Sequence, residues 1–168
     1  MLLVVVMAAL AVAPVTGAPG AVVEETSAAA RLFDRPAVKV RPKPAPPTRA
    51  ERAVGFALGA VGVPYRWGGE SRSGFDCSGL VRWAYRHVGL DLPHNSYALY
   101  GVGRRVTRSR MRPGDVLFFS GLGHVGLYVG RGRMVHAPYT GKDVEVVSLS
   151  RSNYGTRLVG ARRMVRSR

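Results

Sequence analysis

The chain has 168 residues, 46% of them apolar and 21% charged, with 25 Lys and Arg against 10 Asp and Glu for a formal net charge of +15. Its length suits one ordinary domain plus an extension, and the apolar share excludes wholesale disorder. A single cysteine excludes a disulfide framework and any zinc module needing two thiolates, while the charge predicts attraction to something anionic: nucleic acid, a lipid headgroup surface or an acidic polymer.

Met1 to Val15 is nearly all Leu, Val, Ala and Met, and the first charged residue is Glu24. An apolar run of about 15 is short for a membrane span and fits the core of a secretory signal, so residues 1–20 are read as a signal peptide or a retained apolar anchor. Contact with a membrane is expected only if that segment is retained. Residues 21–49 carry Pro36, Pro42, Pro44, Pro46 and Pro47 among Arg41, Lys43 and small residues. Such a stretch favours extended polyproline II and reads as a cationic linker. The domain is expected over residues 50–168.

Ala53, Val54, Ala57, Leu58 and Val61 recur at helical spacing, closed by Gly62 and Pro64. A glycine-rich loop, Tyr65-Arg66-Trp67-Gly68-Gly69, precedes Gly74-Phe75-Asp76-Cys77-Ser78-Gly79. A second helix follows, with Leu80, Val81, Ala84 and Val88 on one face and Gly89 as its stop. Residues 94–100 suit a short helix. After Pro113-Gly114 the period changes, predicting strands at Asp115–Phe119, His124–Val129, Met134–Ala137, Val144–Ser148 and Leu158–Val165. Helices followed by antiparallel strands define an α+β domain, and its size suggests a monomer.

Asp76 is a good N-cap, which puts Cys77 in the first helical turn. Unpaired N–H groups there favour a thiolate and can stabilise an oxyanion on an attacked carbonyl. A nucleophile needs a base, and His124 opens an apolar strand while His136 stands twelve residues later on the next one. With a two-residue turn at Arg131-Gly132, Gly130 opposes Arg133 and the histidines face opposite ways. With a three-residue loop, Gly130 to Gly132, Gly126 opposes His136, which then lies diagonal to His124 on the same face, about 7–8 Å away between Cα atoms. The second pairing, with Gly132 at positive φ, allows a hydrogen bond between the rings. Cys77 is thus the candidate nucleophile, His124 the base and His136 the residue that orients it.

The blocks Tyr65-Arg66-Trp67-Gly68-Gly69, Gly74 to Val81, His124 to Gly130 and Met134-Val135-His136-Ala137-Pro138, together with Pro113 to Phe119, resemble the NlpC/P60 family of cell-wall peptidases over roughly residues 50–165. The resemblance implies a minimal papain-like domain, with N-terminal helices packed on an antiparallel sheet. It implies hydrolysis of peptidoglycan stem peptides, typically between D-γ-glutamyl and the following diamino acid, by a bacterial protein secreted or held at the wall. Cys77, His124 and His136 match the catalytic positions. Tyr65 matches a tyrosine placed beside the cysteine to help the oxyanion or substrate, and Asp76, Ser78 and Ser96 are the other candidate oxyanion and substrate contacts. Two positions depart: His94 stands where relatives often carry Arg, and Leu99 where they often carry Gln.

From Glu51 onward there are 19 basic and 7 acidic residues, a net +12. The basic residues are scattered and accompany no base-reading motif, so nucleic acid is not the expected partner. The one dense cluster, Arg104 to Arg112, reads as a solvated loop or as a surface holding anionic wall polymer. An acyltransferase or amidase using the same cysteine and histidines is the rival chemistry. No cofactor and no metal site are expected.

Overall fold

The computed structural model describes residues 45–164. Met1–Gly20 and all but the last five residues of the 21–49 segment lie outside the described residues. Helix α1, Arg49–Leu58, starts at Thr48, whose side chain accepts from the Glu51 amide while the Glu51 carboxylate accepts from the Thr48 amide. This capping box satisfies two otherwise orphaned donors. Ala53, Val54 and Ala57 are buried, but Leu58 and Val61 are exposed. The expected stripe is shorter because the helix ends at Leu58 with Gly59 as cap, so Val61 falls out of helical phase.

A short hairpin that the sequence does not announce follows, β1 (Glu70–Ser71) with β2 (Gly74–Phe75). Helix α2, Cys77–Arg86, buries Leu80, Val81, Ala84 and Tyr85. Helix α3 is Ser96–Gly101. Strand β3 (Arg104–Val106) and a single 3-10 turn (Arg108–Arg110) occupy the stretch expected to be loop. Then come β4 (Val116–Phe119), β5 (Val125–Gly130), β6 (Arg133–His136), β7 (Glu145–Ser148), the short α4 (Tyr154–Arg157) and β8 (Leu158–Arg163). The long strands match the sequence reading to within a residue or two.

Six strands form one sheet in the order β3-β8-β4-β5-β6-β7, every pairing antiparallel. Alternation sorts their side chains. Val116, Phe118, Leu127 and Val135 pack with Ala53, Ala57, Leu80, Val81 and Tyr85. Leu117, Phe119 and Met134 join Leu149 and Ala161 in a second cluster. All four residues of β4 are fully buried, so it is sandwiched on both faces.

The β5–β6 turn combines both readings of its sequence. Gly130 pairs with Arg133, which leaves a two-residue turn with Arg131 at φ 52° and Gly132 at φ 67°. The register then shifts before Tyr128, so that Tyr128 pairs with Met134 and Leu127 with Val135. A bulge therefore supplies the extra residue that was assigned to the loop, and the histidines still share a face.

The loop before α2 is bound tightly to it. The Asp76 amide donates to the Gly69 carbonyl at 2.9 Å, and the Arg66 amide to the Phe75 carbonyl at 2.9 Å. A Cβ on Gly79 would stand 2.0 Å from the Gly69 carbonyl oxygen, so only glycine admits this approach. Gly79→Ala should therefore cost about 1–3 kcal/mol in urea unfolding. Gly55→Ala, in α1 with open space around it, should gain about 0.5–1 kcal/mol.

Candidate active site

Asp76 sits at the N-terminus of α2 with both carboxylate oxygens engaged. Oδ1 accepts from the Gly79 amide at 2.7 Å and the Ser78 hydroxyl at 3.0 Å, and Oδ2 accepts from the Gly68 amide at 2.9 Å. His94 Nε2 lies 3.0 and 3.1 Å from the same two oxygens, and its Nδ1 is 3.6 Å from Glu70 Oε2. Asp76 and the Ser78 side chain thus hold α2 and the loop before it together. His94, at the position that departs from the family pattern, supplies the group that faces the aspartate.

Cys77, the next residue, lines a cleft of about 400 Å³ with Tyr65, Trp67, Ser78, Ser96, His124 and Pro138. The thiol is pushed up from its usual range. Burial is the largest cause and the Asp76 carboxylate adds to it, while N–H groups of Val125, Ser78 and Cys77 itself oppose them. The N–H groups at the helix terminus thus favour the thiolate, and burial acts against them. The Tyr65 hydroxyl is also raised, first by burial and then by Cys77 and Asp76. Ser96, in the first turn of α3, is almost wholly buried on the opposite wall of the cleft.

His124 Nε2 lies 2.8 Å from His136 Nδ1, with the rings near perpendicular at 82°. This leaves Nδ1 of His124 as the nitrogen free for the cleft. His136 is fully buried behind it and is absent from the cleft wall. Burial, with Arg157 adding a smaller effect, pulls the His124 pKa down to about 4. Burial and then the neighbouring His124 depress His136 as well. Burial thus disfavours the charged form of both groups lining the cleft, the thiol and the imidazole.

Other residues here were not singled out from sequence. The Tyr154 ring stacks on His124 at 5.6 Å and 28°, and meets His136 edge-on at 4.9 Å and 78°. Phe119 closes the group, 5.8 Å from His124. Tyr154 lies in α4, a four-residue helix too short for a periodic signal to reveal. Trp67, 86% exposed, stands at the rim of the cleft, and the Tyr97 hydroxyl donates to the Gly121 carbonyl at 2.8 Å. Among the described residues no group of three His, Cys, Asp or Glu side chains is placed to hold a metal, and no helix is long and apolar enough to cross a membrane.

An α+β domain with a cysteine at a helix N-terminus and a paired histidine on the facing sheet is the architecture of a papain-like cysteine peptidase. The chain belongs to the NlpC/P60 family, whose pattern matches residues 62–163. It is 50% identical over 100 residues to a Mycobacterium tuberculosis protein named "Probable endopeptidase", covering 59% of this chain and 26% of that one. It is 41% identical over 122 residues to the murein DD-endopeptidase MepH of Escherichia coli, covering 67% of this chain and 45% of that one. It is 39% identical over 109 residues to the γ-D-glutamyl-L-lysine dipeptidyl-peptidase of Bacillus subtilis, covering 61% and 37%. Among solved structures, the NlpC/P60 domain of the peptidoglycan hydrolase SagA superposes with a TM-score of 0.62 at 34% identity, covering 68% of this chain and 98% of that one. The match spans about a quarter of the length of the mycobacterial relative.

If burial sets the His124 pKa, its imidazole should titrate near pH 4 when followed by NMR. Tyr154→Ala, which opens the ring to water, should raise that midpoint towards 6.5. A wild-type midpoint near 6.5 would contradict burial as the dominant influence on this ring.

Proposed function

We propose that the chain is a peptidoglycan hydrolase in which Cys77 attacks an amide of the stem peptide. The observation that carries this reading is the shared cleft of Cys77 and His124, with His136 bonded behind His124 at 2.8 Å. As the Cys77 sulfur bonds to the carbonyl carbon, its proton passes to His124 Nδ1. The carbonyl oxygen takes up negative charge beside the N–H groups at the start of α2 and the Tyr65 hydroxyl. Collapse breaks the C–N bond, and the imidazolium returns its proton to the leaving amine. Water, deprotonated by His124, then cleaves the thioester and regenerates the thiol. His136 orients the base and transfers no proton itself.

The bond we favour joins D-γ-glutamyl to the diamino acid, a choice supported by the name of the Bacillus subtilis relative, whereas the name of MepH points to a DD-bond. Digestion of sacculi followed by muropeptide mass spectrometry should release products cut at the γ-glutamyl bond. Cys77→Ala should lower the rate by roughly 1,000-fold or more with the fold intact. His124→Ala should cost more than His136→Ala, since only the former moves the proton. Unchanged product release by Cys77→Ala would sink the mechanism, and cleavage at the sugar–lactyl amide would replace the peptidase with an amidase.

On this reading the protein acts outside the membrane, at the bacterial wall, and its charge serves adhesion. Arg104, Arg110 and Arg112 line a groove of about 440 Å³ with Ser109, Met111 and Arg163. Among the lining arginines Arg163 is ion-paired, to Asp115 at 2.8 Å. The groove shares no lining residue with the cleft of Cys77. Anionic wall polymer is the partner we assign there, in preference to nucleic acid. Reversing Arg104, Arg110 and Arg112 to Glu should weaken binding to polymer-bearing sacculi about 10-fold at low salt and spare hydrolysis of a small soluble muropeptide. Equal competition by duplex DNA would count against the assignment.

A further inference from the structure

We propose that Glu145 is a positioning residue that fixes the tautomer of His136 and, through it, the proton-accepting state of His124. The inference rests on His124 being the base. His136 is fully buried, and its Nε2 is the one buried side-chain polar atom without a hydrogen-bond partner among the described residues. The atom facing it is Glu145 Oε1 at 3.5 Å. The two residues are direct partners in the β6–β7 pairing, so their side chains share a face. The Glu145 side chain is 49% exposed, and an ordinary charge-assisted bond requires it to move by less than ~1 Å.

The requirement for an acceptor follows from counting protons. To receive a proton at Nδ1, neutral His124 must carry its own proton on Nε2, where it donates to Nδ1 of His136. His136 Nδ1 is then an acceptor, and the remaining proton of that ring sits on Nε2. A buried N–H of this kind costs free energy unless something accepts from it. A carboxylate only accepts, so Glu145 selects this arrangement. The reverse one puts the His124 proton on Nδ1, facing the sulfur, and leaves no base. When His124 becomes an imidazolium its Nε2 proton stays in place, and the carboxylate two rings away favours the new charge. No proton moves to Glu145. The other ionisable groups around the pair are Cys77, Arg157 and Tyr154, which contacts both rings. None of them is a carboxylate.

The test compares the full wild-type chain with Glu145→Ala and Glu145→Gln, and reads the His136 tautomer by 15N NMR alongside kcat and KM on a muropeptide. Wild type should show His136 protonated on Nε2. Glu145→Ala should show a mixture of tautomers and a kcat lowered about 10-fold with KM unchanged. Glu145→Gln, whose amide oxygen can still accept, should restore the tautomer and most of kcat. The exposed position of Glu145 leaves folding intact in both variants, verifiable by circular dichroism. An unchanged tautomer and kcat in Glu145→Ala would overturn the inference. A wild-type chain no more active than Cys77→Ala would instead sink the reading on which it rests, and the tautomer measurement would still decide whether Glu145 sets the ring.

Discussion

Four hydrogen-bonding groups converge on the Asp76 carboxylate, and the placement of the reactive sulfur depends on them. The Gly79 amide is an N-cap bond, worth about 1 kcal/mol to the helix. The Gly68 amide comes from the loop that carries Tyr65 and Trp67, and the histidine from the segment before α3. One side chain thus ties three separate stretches of chain to the residue adjoining Cys77. The absence of a Cβ at Gly79 lets the loop close on the helix tightly enough for this. His94 also reaches Glu70, with its Nδ1 3.6 Å from Oε2, so the link extends to the β1–β2 hairpin.

Burial then governs the chemistry. The same packing that seats Cys77 and His124 removes water from both and disfavours the ionised form of each. Phe119 and Tyr154 enclose the His124 ring, and burial lowers its pKa. On the proposed mechanism this costs little, because charge then appears together with bond formation, when the N–H groups at the start of α2 can meet the oxyanion.

Much of this was legible in the sequence because the signals were local. An aspartate ahead of a cysteine and an apolar helical stripe announce a capped helix, and the change of period after Pro113-Gly114 announces the five long strands. The pairing of His124 with His136 could be argued from spacing alone, although the register was reached through a bulge and not a longer loop. What escaped depends on distant partners. Arg104–Val106 is a strand because Arg162 and Arg163 lie opposite it, not because its residues favour one. Tyr154 and Glu145 matter for what the sheet order brings against them, and nothing within a few residues of either marks the site. The helix terminus that favours a thiolate is visible in the sequence, whereas the burial that opposes it is not.

The two-residue turn and its bulge have a consequence for how this hairpin tolerates change in length. Strand faces obey parity: a change in length that the turn does not absorb slips β6 by one residue against β5 and turns His136, with every other side chain of β6, to the opposite face. The bulge before Gly130 already contributes one odd step, offsetting the even turn that follows. Such a slip would also carry Val135 and Met134 out of the clusters in which they are buried. The register that places His136 is therefore the register the core itself requires.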